Sequence, residues 1–270
     1  MFGLELCLYL SVHQVADGAV DRLVCEVKIY EKPQLSSPVL VEGLPGIGLV
    51  ANITVAYLIR KLDAKLFGEI KSSYFHDVAF ADKNGLLTYP TNQLYYYRGE
   101  RSGRDLILLY GNTQALTARG QYELCGCILE TAESLGCGLI ITLGGYRPGR
   151  GDVKPRLYFA ASDHDMARAA RDLGAEPLRI QIFGLAGLLI GMCRLRNLKG
   201  LCLLSETPGT YPDKEAAQEL LKALSKILEI KVDIDDLGDP MDLINVLPPF
   251  DFGAMTKKRI EKQPMPEWLI

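Results

Sequence analysis

The stretch from residue 38 to residue 61 constrains this chain more than any other. Val39-Leu40-Val41-Glu42 is a short, nearly continuous apolar run, the pattern of a strand buried on both faces. The glycine-rich turn Gly43-Leu44-Pro45-Gly46-Ile47-Gly48 follows, and Leu49, Ile53, Ala56 and Ile59 then recur on one helical face. A buried strand feeding an amphipathic helix is half of a crossover unit, and such units build a parallel sheet with helices on its faces. The unit recurs along the chain. A strand at 106–110 precedes a helix over about 119–135, whose stripe is Cys125, Ile128, Leu129, Ala132 and Leu135. A strand at 138–143 comes next, then a strand at 156–160 and a helix over about 163–173. Leu185, Leu188, Leu189, Met192 and Leu195 mark a further helix. The strand at 200–204 leads through Glu206-Thr207-Pro208-Gly209 to Thr210, Pro212 and Asp213, start signals for a helix bearing Ala217, Leu220, Leu221, Leu224 and Leu228.

The alternation breaks between residues 64 and 97. A strand at 64–70 is followed by an aromatic and β-branched stretch with a turn signal at Asn84-Gly85, which predicts a hairpin or meander. Two strands, at 4–10 and 22–30, open the chain, and residues 1–21 show the least partner pattern. There is no internal repeat and no low-complexity linker, so residues 1–245 are expected to form one α/β domain. Leu247-Pro248-Pro249-Phe250, the basic run Lys257-Lys258-Arg259, Pro264 and Pro266 predict an extended tail over 246–270.

Composition narrows the function classes. Of 270 residues, 48% are hydrophobic and 23% charged, and the formal net charge is −3, so nothing pulls the whole molecule toward nucleic acid or anionic membrane. The apolar segment 2–10 lacks a basic flank and is interrupted by Glu5, unlike a signal peptide. No apolar run is long enough to span a bilayer. Seven cysteines, an odd number in mostly apolar settings, suit reduced thiols and a cytoplasmic location.

Few residues are spaced for chemistry. Gly46-Ile47-Gly48-Leu49-Val50-Ala51 has the G-x-G-x-x-A spacing of a dinucleotide turn, with Glu69 near the distance of a ribose-binding acid. The β-rich continuation is wrong for a dinucleotide fold, however. Leu49 and Val50 stand where a P-loop needs its lysine and hydroxyl. Gly43, Gly46 and Gly48 therefore read as a structural turn that permits close strand–helix packing. Cys125 and Cys127 lie about 200° apart around a helix and do not chelate a metal together. Cys137 lacks neighbours for a tetrahedral set. His76-Asp77 and Asp163-His164-Asp165 carry no catalytic signature, and the latter sits where acids complement a helix start. Neither catalytic residues, metal nor cofactor is expected. Gly144-Gly145-Tyr146-Arg147-Pro148-Gly149-Arg150 follows a core strand's carboxyl end, where ligands collect in open α/β sheets. It is expected to be a loop in which Gly144, Gly145, Tyr146, Arg147 and Arg150 serve a ligand or a protein interface.

Taken in order, five segments resemble the proteasome assembly chaperone family and its archaeal and bacterial homologues. They are residues 37–50, Gly111-Asn112-Thr113-Gln114, Leu143-Gly144-Gly145-Tyr146, residues 184–189 and residues 206–213. The resemblance spans roughly residues 25–235. It implies a three-layer α/β/α sandwich of the phosphorylase/hydrolase-like type, with a mainly parallel mixed sheet. It also implies a non-catalytic homo-oligomer that binds proteasome α-subunits, the assembled particle or a related protein client. The resemblance also implies docking of the kind seen in several members, whose C-terminal hydrophobic–tyrosine–any tripeptide enters pockets between α-subunits. Here the chain ends Trp268-Leu269-Ile270, with Leu269 in place of the tyrosine and Trp268 as the aromatic anchor. The competing class is a nucleotide- or small-anion-binding enzyme, ligase-like or phosphorylase-like, using the turn at 43–48 and the segment 144–150.

Overall fold

The computed structural model describes residues 9–10, 24–81, 84–99, 103–148, 155–209 and 212–245. Among the described residues there are twelve strands: β1 (Tyr9–Leu10), β2 (Cys25–Ile29), β3 (Val39–Gly43), β4 (Lys65–Ser72), β5 (Phe80–Ala81), β6 (Leu87–Thr88), β7 (Asn92–Tyr97), β8 (Leu106–Gly111), β9 (Leu139–Tyr146), β10 (Leu157–Ala161), β11 (Glu176–Pro177) and β12 (Lys199–Glu206). Six helices accompany them: α1 (Val50–Lys61), α2 (Ala118–Ser134), α3 (His164–Asp172), α4 (Leu185–Leu195), α5 (Lys214–Ile227) and α6 (Pro240–Asn245).

Ten strands form one sheet in the order β1-β2-β4-β7-β8-β3-β9-β12-β10-β11. The four central strands β8, β3, β9 and β12 run parallel, as the strand–helix repeats require. The flank β1-β2-β4-β7 joins β8 by antiparallel pairing, and β12 pairs antiparallel with β10. The sheet is thus mixed, with a larger antiparallel share than the helix-rich half of the sequence suggests. The Asn84-Gly85 signal lies in the turn of the separate hairpin β5–β6, with Gly85 at φ 79°.

The layers follow from strand alternation. Val39, Val41, Leu106, Leu108, Ile141, Leu201 and Leu203 point to one face and pack with α1 and α5. Leu40, Ile107, Leu109, Ile140 and Cys202 point to the other and meet α2 and α4. Every residue of β3 and β8 is buried, which is why their sequences read as unbroken apolar runs. The starts of α2, α3 and α5 carry side-chain caps. Thr117 Oγ1 accepts from Gly120 N at 3.0 Å, Asp163 Oδ1 from Asp165 N at 2.9 Å, and Asp213 Oδ1 from Ala216 N at 3.0 Å. Asp163 is therefore a cap, and these hydrogen bonds, led by the one from Met166 N, hold its carboxyl below the usual range.

A single polar side chain ties the strand ends together. Asn52, fully buried on α1, donates from Nδ2 to Gly43 O (3.0 Å) and to Gly111 O (2.9 Å), clamping the ends of β3 and β8 to the helix. Replacing Asn52 by leucine keeps most of the volume and removes both donors. That change is expected to cost about 2–4 kcal/mol, since each buried carbonyl loses its partner. A shift of the urea midpoint at unchanged slope measures it.

Candidate interaction surface

The five segments singled out in the sequence converge at the carboxyl edge of the central strands. β3 ends in the turn 43–48, whose last residues form a short 3-10 turn, Ile47–Leu49, ahead of α1. Gly48 has φ +64°, and a Cβ there would lie 2.7 Å from Thr207 Oγ1. At Gly43 a Cβ would collide with the Val55 side chain. Gly46 is different: its backbone is extended, and a Cβ would meet nothing within 4 Å. The close packing expected of all three glycines therefore resides at Gly43 and Gly48.

Neighbouring segments lock onto this turn. Asp213 N donates to Gly48 O at 2.9 Å, and Thr207 Oγ1 donates to Asp213 Oδ2 at 2.6 Å. Gln114 Nε2 donates to Pro45 O at 2.5 Å, while its Oε1 accepts from Leu185 N and from Gln121 Nε2, both at 3.3 Å. One side chain from the segment 111–114 thus touches the turn, α4 and α2. Thr207 N donates to Tyr146 O at 2.9 Å, and the backbone of Ile47 lies directly against Gly145.

The turn makes a poor phosphate cradle. Leu44 N is taken by Glu42 Oε1 (2.7 Å), Leu49 N by Gly46 O (3.0 Å) and Val50 N by Ile47 O. The Asp213 carboxylate stands beside the same turn and would repel an anion. Glu42 is itself a surprise. It is 1% exposed, and the backbone N–H of Leu143 acts on its carboxyl together with that of Leu44. Oε2 has no hydrogen-bond partner among the described residues. Burial pushes its carboxyl up to about 8, against the pull of those two backbone donors.

Residues 144–146 are not a loop. Gly144, Gly145 and Tyr146 pair with Leu204, Ser205 and Glu206 as the last residues of β9. Glycines that read as a strand end in the sequence are held in the ladder because β12 runs on beside them. Arg147 is exposed just beyond the strand, whereas Arg150 lies outside the described residues. Tyr146 packs edge-on against Tyr158, with ring centroids 5.1 Å apart, and Tyr158 Oη donates to the buried Glu206 at 2.9 Å. Among the described residues, Tyr146 thus belongs to an aromatic pair anchored on an acid.

Two open depressions border this edge on the α2/α4 face. One, of about 360 Å³, is lined by Tyr146, Tyr158 and residues 176–180. The other, of about 390 Å³, lies between the starts of α2 and α4 and includes Tyr122, Ile182, Phe183 and Leu188. The connecting segment is conspicuously apolar for its exposure: Ile180 is 55% exposed, Phe183 77% and, across the groove, Tyr122 58%. Large exposed aromatics gathered beside a groove are the composition of a protein-contact surface. Among the described residues, no three His, Cys, Asp or Glu side chains form a group able to hold a metal. No described helix is long and apolar enough to cross a membrane. Trp268, Leu269 and Ile270 lie outside the described residues.

Comparison with known proteins gives this geometry a family. The sequence model of the PAC2 family matches residues 40–244, from the strand before the glycine turn to the last described helix. The chain belongs to the PAC2 family. Among solved structures, it is similar to PbaB of Pyrococcus furiosus, an archaeal proteasome activator. The two share 33% identity and a TM-score of 0.74, over 79% of this chain and 93% of PbaB. It shares its fold with PbaA of the same organism, a homologue of proteasome-assembly chaperone, at 24% identity and a TM-score of 0.65, covering 78% of this chain and 85% of PbaA. An uncharacterised protein of Methanocaldococcus jannaschii, MJ1210, is 29% identical over 212 residues, 78% of this chain and 81% of the relative.

Proposed function

We propose that this PAC2 chain is a non-catalytic, chaperone-like protein that binds proteasome α-subunits or the assembled proteasome. The observation that carries this reading is the likeness to PbaB, a proteasome activator, at 33% identity over 93% of its length. Two features of the chain support it. The backbone donors of Leu44, Leu49 and Val50 at the glycine turn are taken within the chain, and the exposed surface around Phe183 and Tyr122 has the apolar make-up of a protein contact. In this reading the protein works in the cytoplasm as a homo-oligomer. Its terminal Trp268-Leu269-Ile270 reaches the α-subunits, with the Trp268 ring as anchor and the Ile270 carboxylate as the charged end.

The test is co-purification with α-subunits from the same cell, using the full chain and a chain ending at residue 267. Capture by the full chain and its loss on truncation are expected. Capture by both would move the contact to the folded body. Absence of capture by either, at concentrations that saturate a PbaB-type relative, would overturn the proposal.

A further inference from the structure

Cys25 and Cys127 were given no joint role by sequence, being 102 residues apart, yet the fold brings them together. Cys25 begins β2 and packs against the cluster beneath α2, which contains Cys127. Cys127 Sγ donates to Cys25 O at 3.6 Å, which sets the Cys127 thiol directly against residue 25. Of the six described cysteines, Cys25 alone is half-buried, and the other five are buried. The pair therefore sets a half-buried cysteine beside a buried one, which gives them the order of an attacking and a resolving thiol.

We propose that Cys25 and Cys127 form an intramolecular disulfide when the protein meets a low-molecular-weight disulfide, clamping strand β2 to helix α2. Cys25 loses its proton to solvent and attacks one sulfur of the reagent RSSR, forming a mixed disulfide and releasing RS⁻. Cys127 then loses its proton and attacks the Cys25 sulfur, forming the protein S–S bond and expelling the second RS⁻. The two protons convert the leaving groups to two RSH, so two protein thiols are oxidised and one reagent disulfide is reduced. The adjacent sulfur, burial and the carboxylates of Glu123 and Glu130 push the Cys25 thiol up, so little thiolate is present and the exchange is slow. Those carboxylates favour a cationic reagent, and cystamine is the probe to use.

The full-length folded protein is incubated with cystamine and digested without reductant. The expected product is a peptide pair joining Cys25 to Cys127, with loss of two hydrogens. The oxidised protein should melt on the order of 10 °C higher, because the bond closes a long loop, and dithiothreitol should reverse the shift. Cys25→Ser should show neither the linked peptides nor the rise in melting temperature. Three results would overturn the clamp. They are a stable cysteamine adduct on Cys25 with Cys127 still free, no reaction of either thiol while the urea-unfolded chain reacts, and an equal melting shift in Cys25→Ser.

Discussion

Gly48→Val is expected to destabilise the protein by about 3–5 kcal/mol, combining a β-branched residue forced to positive φ with a side chain driven into its neighbours. The added Cβ would sit 2.7 Å from Thr207 Oγ1 and would disturb the hydrogen bond from Asp213 N to Gly48 O. Gly46→Ala, two residues earlier, is the internal control. Its backbone is already extended and its surroundings are open, so the midpoint in urea should move by about 0.5 kcal/mol or less. If the two substitutions cost the same, the turn is not locked onto the Thr207–Asp213 segment in the way described.

The second large effect depends on pH. Glu42 is fully buried, and its carboxyl in the folded protein is pushed up to about 8, whereas an unfolded chain ionises it near 4.5. Below 4.5 both states carry the proton. Between 4.5 and about 8 the folded state holds a proton that the unfolded state has released, so stability falls as pH rises through this window and levels off above it. The total contribution is on the order of 4 kcal/mol. Glu42→Gln keeps an oxygen for Leu44 N and cannot ionise. Urea denaturation at a series of pH values should show the wild-type decline and a variant that is flattened by this amount. A wild-type profile equal to that of Glu42→Gln across the window would mean that Glu42 is not protonated in the fold.

The central strands were legible because burial on both faces leaves no polar gap in β3 or β8, and because each is answered by a helix of matching period. Pairing was not legible. The segment 64–97 announced strands, but nothing in a period of two says that β2, β4 and β7 would join β8 antiparallel rather than stand apart. At Gly144 and Gly145 local propensity favoured a loop, and the neighbouring β12 overrode it. The glycine turn was found by spacing. Of its partners, Gln114 was noticed only within a family segment, and Thr207 and Asp213 only there and as the lead-in to a helix, since hydrogen bonds across 69 residues, as from Gln114 to Pro45, leave no periodic trace. Glu42 did leave a sign, an acid inside an otherwise apolar run, and its meaning emerged only with the donors of Leu44 and Leu143 around it.

The sheet's last strand bears on how copies of the molecule can meet. β11 is two residues long, and its Pro177 has no N–H to offer a strand arriving from outside, while Glu176 adds an exposed charge. An incoming β-strand would find neither length nor donors there, so this margin of the sheet resists runaway growth into a continuous intermolecular ribbon. Copies or clients that assemble on this side must come together through side chains, over the helical faces.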